Sequence, residues 1–181
     1  MKEIEIKAYL KNETQVIKKL EELGCSLSQP IRQVDTVYTR IPANTLEEYL
    51  TNDHFVRIRE KSDGKFVFTV KRPLSKEVLT KAEHETEIMN NLELEKALFL
   101  MGYQVASKVI KVRKTAHYKD IEICIDEVEK LGAFIEVEKM SDENVDTVRQ
   151  ELHEFLFSLN VSVGDEVRKG YDILEIEARL K

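Results

Sequence analysis

The chain has no tryptophan, three prolines, six glycines and two cysteines among 181 residues, and aromatic side chains make up 7% of it. Each scarcity excludes something. No Pro/Gly/Ser-rich stretch divides the sequence, and it holds no solenoid repeat or low-complexity tract. A single domain over residues 1–181 is therefore expected. Cys25 and Cys124 lie far apart among apolar neighbours. They read as buried free thiols, not as a disulfide or a ligand pair. No apolar run is long enough to span a bilayer and no secretory leader precedes the first charged strand, so a cytoplasmic protein in reducing surroundings is expected. Positive charge is also in deficit, with 28 Lys and Arg against 34 Asp and Glu and a formal net charge of -6. That argues against a nucleic-acid polymer as partner, while leaving a local basic cluster open.

What the chain does have is charge on an apolar frame: 34% charged and 42% hydrophobic residues, enough for a core and too ordered a pattern for global disorder. A strand is expected at 2–9, then a helix capped by Asn12, with Val16, Ile17, Leu20 and Leu23 at helical spacing and Gly24 as the stop. A long strand follows from Leu27 to Arg40, then a loop over Pro42–Asp53 with a helical turn at Leu46–Leu50. His54–Lys61 and Lys65–Arg72 flank Ser62-Asp63-Gly64 as a hairpin, and Lys81–Met89 is a further strand. A helix capped by Asn91 ends at Gly102. Strands at Gln104–His117, Asp120–Glu129 and Ala133–Met140 precede a helix over Ser141–Asn160 and a tail with a short helical or extended segment at Tyr171–Leu174. About eight strands and three helices with short connections favour an α+β fold: an antiparallel sheet closed into an eight-stranded barrel, with helices packed outside.

The strands share one device. Glu3, Glu5 and Lys7 alternate with isoleucines, and like charges recur at i, i+2 in Arg57/Arg59, Glu85/Glu87, Lys111/Arg113 and Glu136/Glu138. Side chains alternate across a strand, so each pair shares a face. Like charges side by side repel, so each pair needs a counter-charge, a metal or a ligand. The apolar set (Ile4, Ile6, Val56, Ile58, Ile121, Ile123, Ile125, Ile135 and Val137) would receive the helices, leaving the charges to line the interior. Singly, each pair would read as a solvated ladder; five together point to a functional interior. Converging Arg and Lys suit a polyphosphate. Carboxylates beside them suit a hard cation such as Mg²⁺ or Mn²⁺. His54, His84, His117 and His153 show no metal-ligand spacing.

The ordered set resembles the CYTH superfamily, the triphosphate tunnel metalloenzymes. Glu3-x-Glu5-x-Lys7 matches its ExExK signature. It is followed in the family's order by Asp35 within Gln33–Tyr38, Val56-Arg57-Ile58-Arg59, Thr69-Val70-Lys71, Glu85-Thr86-Glu87, Lys111-Val112-Arg113, Asp126, and Gly132 through Glu136-Val137-Glu138. The resemblance implies a tunnel barrel with Mg²⁺ or Mn²⁺ on Glu3, Glu5 and Glu136, with Glu138 and Asp126 as further ligands. It implies Lys7, Arg57, Arg59, Lys71, Lys111 and Arg113 on the triphosphate, with Glu85 and Glu87 alongside, and Glu3, Glu5, Lys7 and Glu136 as the catalytic set. The lead-in His54-Phe55 and the closing Lys169-Gly-Tyr171-Asp-Ile-Leu174 resemble the class IV adenylyl cyclase-like subgroup. The resemblance thus implies a cyclase making cAMP and pyrophosphate from ATP. A triphosphatase acting on inorganic triphosphate, thiamine triphosphate or a nucleoside triphosphate is the alternative, and a non-catalytic polyphosphate- or nucleotide-binding module is the third reading. The partner expected is a small-molecule triphosphate, with no membrane; a homodimer is left open.

Overall fold

The computed structural model describes residues 2–73 and 81–181. Eight strands form one sheet in the order β1-β8-β7-β6-β2-β3-β4-β5. They are β1 (Lys2–Tyr9), β2 (Ile31–Thr39), β3 (Phe55–Lys61), β4 (Phe66–Pro73), β5 (Lys81–Ile88), β6 (Gln104–Tyr118), β7 (Ile121–Val128) and β8 (Gly132–Ser141). The β1–β8, β7–β8, β2–β3, β3–β4 and β4–β5 pairings are antiparallel. The expected α+β fold is observed, eight antiparallel strands with helices on the apolar face; among the described residues the barrel takes the form of a sheet whose first and last strands in the order are β1 and β5. The chain divides into two compact units: Met1–Pro30 with Val112–Arg168, and Ile31–Lys111 with Lys169–Lys181.

In the first unit, alternation decides which side is covered. Ile4 and Ile6 of β1, Ile121, Ile123 and Ile125 of β7, and Ile135 and Val137 of β8 form one apolar face. Helix α1 (Glu13–Glu22) lays Val16 and Leu20 on it, and the later helix α4 (Val145–Ser158) adds Val148, Leu152, Phe155 and Leu156. Each such side chain contributes about 1.5–3 kcal/mol on burial. Leu152 is fully enclosed, so Leu152→Ala would cost about 2–5 kcal/mol. Asn12 caps α1 by accepting from the Gln15 N–H at 3.1 Å, and Gly24, at φ 81, ends it in the left-handed region.

The second unit repeats the plan twice. Leu94 and Leu98 of α3 (Asn91–Leu100) pack on Val56, Ile58, Phe68 and Val70. Tyr49 of α2 (Leu46–Leu50) and Ile173 and Ile176 of α5 (Tyr171–Arg179) pack with Ala43 and Ala106. The Tyr49 hydroxyl donates to Asp172, which ties the short α2 to the first turn of α5.

Boundaries moved where capping and proline act. The second strand starts at Ile31, not Leu27, because Pro30 has no N–H to donate to a ladder. Asn90, not Asn91, caps α3, accepting from the Glu93 N–H at 3.1 Å. Ser141 finishes β8, and Asn144 caps α4 by accepting from the Asp146 N–H at 2.8 Å. The tail segment resolves as helix from Tyr171 to Arg179. Among the described residues, no helix is long and apolar enough to cross a membrane.

Candidate functional site

The polar face of the second unit is dominated by cations. Antiparallel register places Asp35 opposite Arg59, Arg57 opposite Thr69, Thr69 opposite Glu85, and Lys71 opposite Glu83. Arg59 donates Nε to Asp35 at 2.6 Å and a second N–H at 2.7 Å, a bidentate pair. Arg57 reaches the Thr69 hydroxyl at 3.0 Å and Glu85 at 3.3 Å, and lies 3.6 Å from Glu83 and 3.8 Å from Asp35. Lys71 pairs with Glu83 at 2.6 Å. Lys111, only 2% exposed, places its ammonium 4.8 Å from the centre of the Tyr171 ring, a cation–π arrangement.

Charge in this unit is unbalanced. Burial alone would raise the Asp35 pKa, yet Arg59, Arg57 and Lys111 together pull it down to about 2. Burial, then the neighbouring Arg59 charge, lowers the Arg57 pKa. Among the described residues, two buried atoms here have no hydrogen-bond partner: the Arg57 Nε and the Gln33 Oε1. A buried unpaired polar atom costs about 1–3 kcal/mol, and both lie on the face where the cations gather.

The polar face of the first unit has the opposite character. Lys7 sits 3.1 Å from Glu136 and 3.5 Å from Glu5. Arg113 donates to both oxygens of Asp126, at 2.7 and 2.5 Å, and also to Glu136. Burial disfavours the Arg113 charge, but Asp126 and Glu136 outweigh it and raise its pKa well above the usual value. Next to this group lies a row of carboxylates. Register sets Glu5, Glu138 and Glu122 directly across three adjacent strands. Like charges so opposed repel. Burial first, then Glu3, Glu122, Glu5 and Glu136, push the Glu138 pKa up to about 7. Cys124, opposite Glu136, is a buried free thiol raised by burial to about 12, so it carries no thiolate chemistry.

The expected residues therefore fall into two sets. Arg57, Arg59, Lys71, Lys111, Glu85 and Glu87 belong to the second unit, where Glu85 joins Arg57 and the exposed Glu87 meets Lys65 at 3.4 Å. Glu3, Glu5, Lys7, Arg113, Asp126, Glu136 and Glu138 belong to the first. Among the described residues, no group of three or more His, Cys, Asp or Glu stands preassembled to hold a metal ion. The carboxylate chemistry nonetheless fits a divalent cation: the charges of Glu3, Glu122, Glu5 and Glu136 gather around Glu138 and, after burial, raise its pKa. Asp126 is fully buried and uses both oxygens on Arg113. Glu122 and Gln33 were not singled out from the sequence. The signal for Glu122 was its parity with Asp126 in Ile121–Asp126. The signal for Gln33 was its parity with Asp35. Lys114, next to Arg113 and of opposite parity, pairs with Glu13 of α1 at 2.8 Å.

Comparison with known proteins gives the family of the chain. The CYTH domain family matches residues 1–171. A protein of Methanocaldococcus jannaschii named "Putative adenylate cyclase" is 33% identical over 174 residues, covering 94% of this chain and 97% of its own. The structure of the PH1819 protein from Pyrococcus horikoshii superposes with a TM-score of 0.78 at 27% identity, covering 99% of each chain. A Hippeastrum protein, described as a "putative adenylyl cyclase" that "reveals a dominant" triphosphatase activity, shares the fold at TM-score 0.58 and 18% identity over 88% of each chain. This chain belongs to the CYTH domain family.

Proposed function

We propose that this protein is a metal-dependent enzyme acting on a small-molecule triphosphate, and that its reaction converts ATP to cAMP and pyrophosphate. The observation that carries the triphosphate reading is the gathering of cations in the second unit, where the buried Nε of Arg57 has no hydrogen-bond partner among the described residues. An anion of high charge density satisfies Arg57 Nε and relieves the Arg57–Arg59 repulsion together. Support for cyclisation comes from the Methanocaldococcus jannaschii relative and its name.

Arg57, Arg59, Lys71 and Lys111 hold phosphate oxygens and balance the charge that grows on the departing pyrophosphate. Glu3, Glu5, Glu136 and Glu138 would hold Mg²⁺ or Mn²⁺, with Glu122 adding negative charge beside them and Asp126 acting through Arg113. When bound, the cation supplies Lewis-acid stabilisation of phosphate oxygens. Lys7, between Glu5 and Glu136, fixes both carboxylates. Arg113 does the same for Asp126 and Glu136. The 3′-hydroxyl of the ribose gives up its proton to solvent and its oxygen bonds to the α-phosphorus, while the bond from that phosphorus to the α–β bridging oxygen breaks and that oxygen departs with the pyrophosphate.

Hydrolysis of the same substrates is the second reading, favoured by the activity described for the Hippeastrum protein on this fold. The test is product analysis with ATP, tripolyphosphate and thiamine triphosphate, each with Mg²⁺ or Mn²⁺. The cyclase gives cAMP and pyrophosphate from ATP, and binds 3′-deoxy-ATP without reacting. Inorganic phosphate from 3′-deoxy-ATP at the rate seen with ATP, with no cAMP, puts the hydrolase in its place. No product from any substrate leaves the binding module.

A further inference from the structure

Gln33 is uncharged, yet it sits on the polar face of the second unit. It is 6% exposed, it follows the parity of Asp35, and it lies opposite Lys61 at the hairpin end of β3. The next row of the ladder holds Asp35 and Arg59, and the one after it Arg57 and Thr69. Successive rows are about 7 Å apart. Gln33 is thus one row beyond the bidentate Arg59–Asp35 pair, on the side away from Lys71 and Arg57. Its Oε1 is buried and has no hydrogen-bond partner among the described residues.

Native proteins rarely leave such an atom unsatisfied, and those that do often keep it for a ligand. The missing partner is a donor, because Oε1 only accepts. Phosphate oxygens offer no donor at neutral pH, so the triphosphate itself cannot fill this place. The organic end of a nucleoside triphosphate can. A glutamine amide offers an acceptor beside a donor, which matches the amino group and ring nitrogen on one edge of adenine.

We propose that Gln33 reads the base of the substrate, accepting a hydrogen bond from the exocyclic amine of an adenine whose phosphates run along the Arg59, Arg57 and Lys71 rows. This rests on the triphosphate reading above and adds a base to it. Gln33 is a specificity residue: without it the cations still bind triphosphate, but the site loses its preference for a base bearing an amine. A base carrying a carbonyl oxygen at that position would set acceptor against acceptor, and a site built to pair a donor discriminates strongly against an analogue lacking it.

The experiment measures apparent Kd by thermal-shift titration in Mg²⁺ for ATP, 2′-deoxy-ATP, inosine triphosphate and tripolyphosphate. The wild-type protein is expected to prefer ATP over inosine triphosphate by about tenfold. Gln33→Met, close in shape and without the acceptor, should weaken ATP by about tenfold, leave tripolyphosphate within about twofold, and level ATP with inosine triphosphate. Equal wild-type affinity for ATP and inosine triphosphate overturns the assignment without any variant, should Gln33→Met fail to fold. A discrimination that follows 2′-deoxy-ATP and not inosine triphosphate overturns it too, because the donor is then a ribose hydroxyl. So does an equal loss for tripolyphosphate. Wild-type protein that binds neither ATP nor tripolyphosphate overturns the triphosphate reading itself. Wild-type protein that binds both, unchanged by Gln33→Met, overturns only the role of Gln33.

Discussion

The two units use one device with opposite charge. In the second unit cations are in excess, so the buried Asp35 is held down at about 2 and the Arg57 pKa falls. In the first unit Lys7 and Arg113 are bound into carboxylates, and the surplus negative charge lifts Glu138 to about 7. Both shifts act on groups embedded in the same kind of strand, with the same alternation behind them. The difference teaches that each unit folds around an electrostatic surplus that its own side chains do not cancel. Such a surplus weakens a folded protein through self-repulsion. The proposed ligands would cancel it: phosphate oxygens in one unit and a divalent cation in the other.

The comparison breaks first at Glu5. Glu5→Gln keeps shape and removes one charge from the Glu5–Glu138–Glu122 row. Turnover should fall by about 10²-fold or more, while the melting curve of the ligand-free protein holds or improves. Near-normal turnover at saturating Mg²⁺ would show that the acidic surplus is not a cation site. Arg57→Ala is the matching change in the other unit. It should raise KM for the triphosphate more than it lowers the affinity for adenosine, and a uniform loss for both would separate Arg57 from the phosphates.

Next in size are the buried carboxylates that anchor arginines. Asp35→Asn leaves Arg59 without its bidentate partner, and Asp126→Asn does the same to Arg113. Each should cost about 3 kcal/mol in urea unfolding at pH 7. For Asp35 the pH dependence has a definite sign. Its folded pKa of about 2 lies below the unfolded value of about 3.9. Its stabilisation is therefore present above the unfolded value and disappears as pH falls through the folded one. The gap between wild type and Asp35→Asn should close over that window. A gap independent of pH would mean that packing, and not the Asp35 charge, is what the substitution removes.

Much of this was legible from alternation. The i, i+2 charges of Glu3, Glu5 and Lys7, or of Arg57 and Arg59, force a shared face because a strand has period two, and that holds whatever the tertiary structure. Helix faces such as Val16 and Leu20 followed for the same reason at period 3.6. Partner identity was not legible. Nothing local says that Arg113 belongs with Asp126 and Glu136 instead of with Lys111, two residues away on the same strand; register across β6, β7 and β8 decides it. Gln33 shares the parity of Asp35, but a neutral amide among charged residues does not stand out, and its significance is a missing hydrogen bond, which only the structure reveals. The cap positions shifted by one to three residues because Asn90 and Asn144 compete with neighbouring Asn91 and Ser141, and backbone geometry chooses between them.

A smaller effect tests both surpluses at once. A ligand that binds only the folded state stabilises it by about 2.7 kcal/mol at a hundredfold excess over its Kd. Tripolyphosphate with Mg²⁺ should raise the melting temperature by about 5–10 °C for a chain of this size. Orthophosphate at equal ionic strength should raise it far less, because a single phosphate cannot reach across the Arg59, Arg57 and Lys71 rows. Equal shifts from the two anions would mean general screening of the cations.

The smallest expected effect is the most specific to the first unit. Glu138 has a folded pKa of about 7, above the unfolded glutamate value of about 4.3. A carboxyl shifted upward binds its proton more tightly in the folded state, so stability falls as pH rises through that window and the full penalty is present above it. Burial and the Glu3, Glu122, Glu5 and Glu136 charges are the causes. Glu138→Gln has no proton to lose. In metal-free buffer the variant should match the wild type near pH 4 and exceed it at pH 8 by about 2–4 °C in melting temperature. Saturating Mg²⁺ should erase or reverse the difference at pH 8, because the cation stabilises the wild-type carboxylate and has less to hold in the amide. A variant whose advantage at pH 8 is absent without metal would show that Lys7 and Arg113 already balance this face. The acidic row would then be an ordinary solvated ladder, and the contrast between the two units would rest on the cations alone.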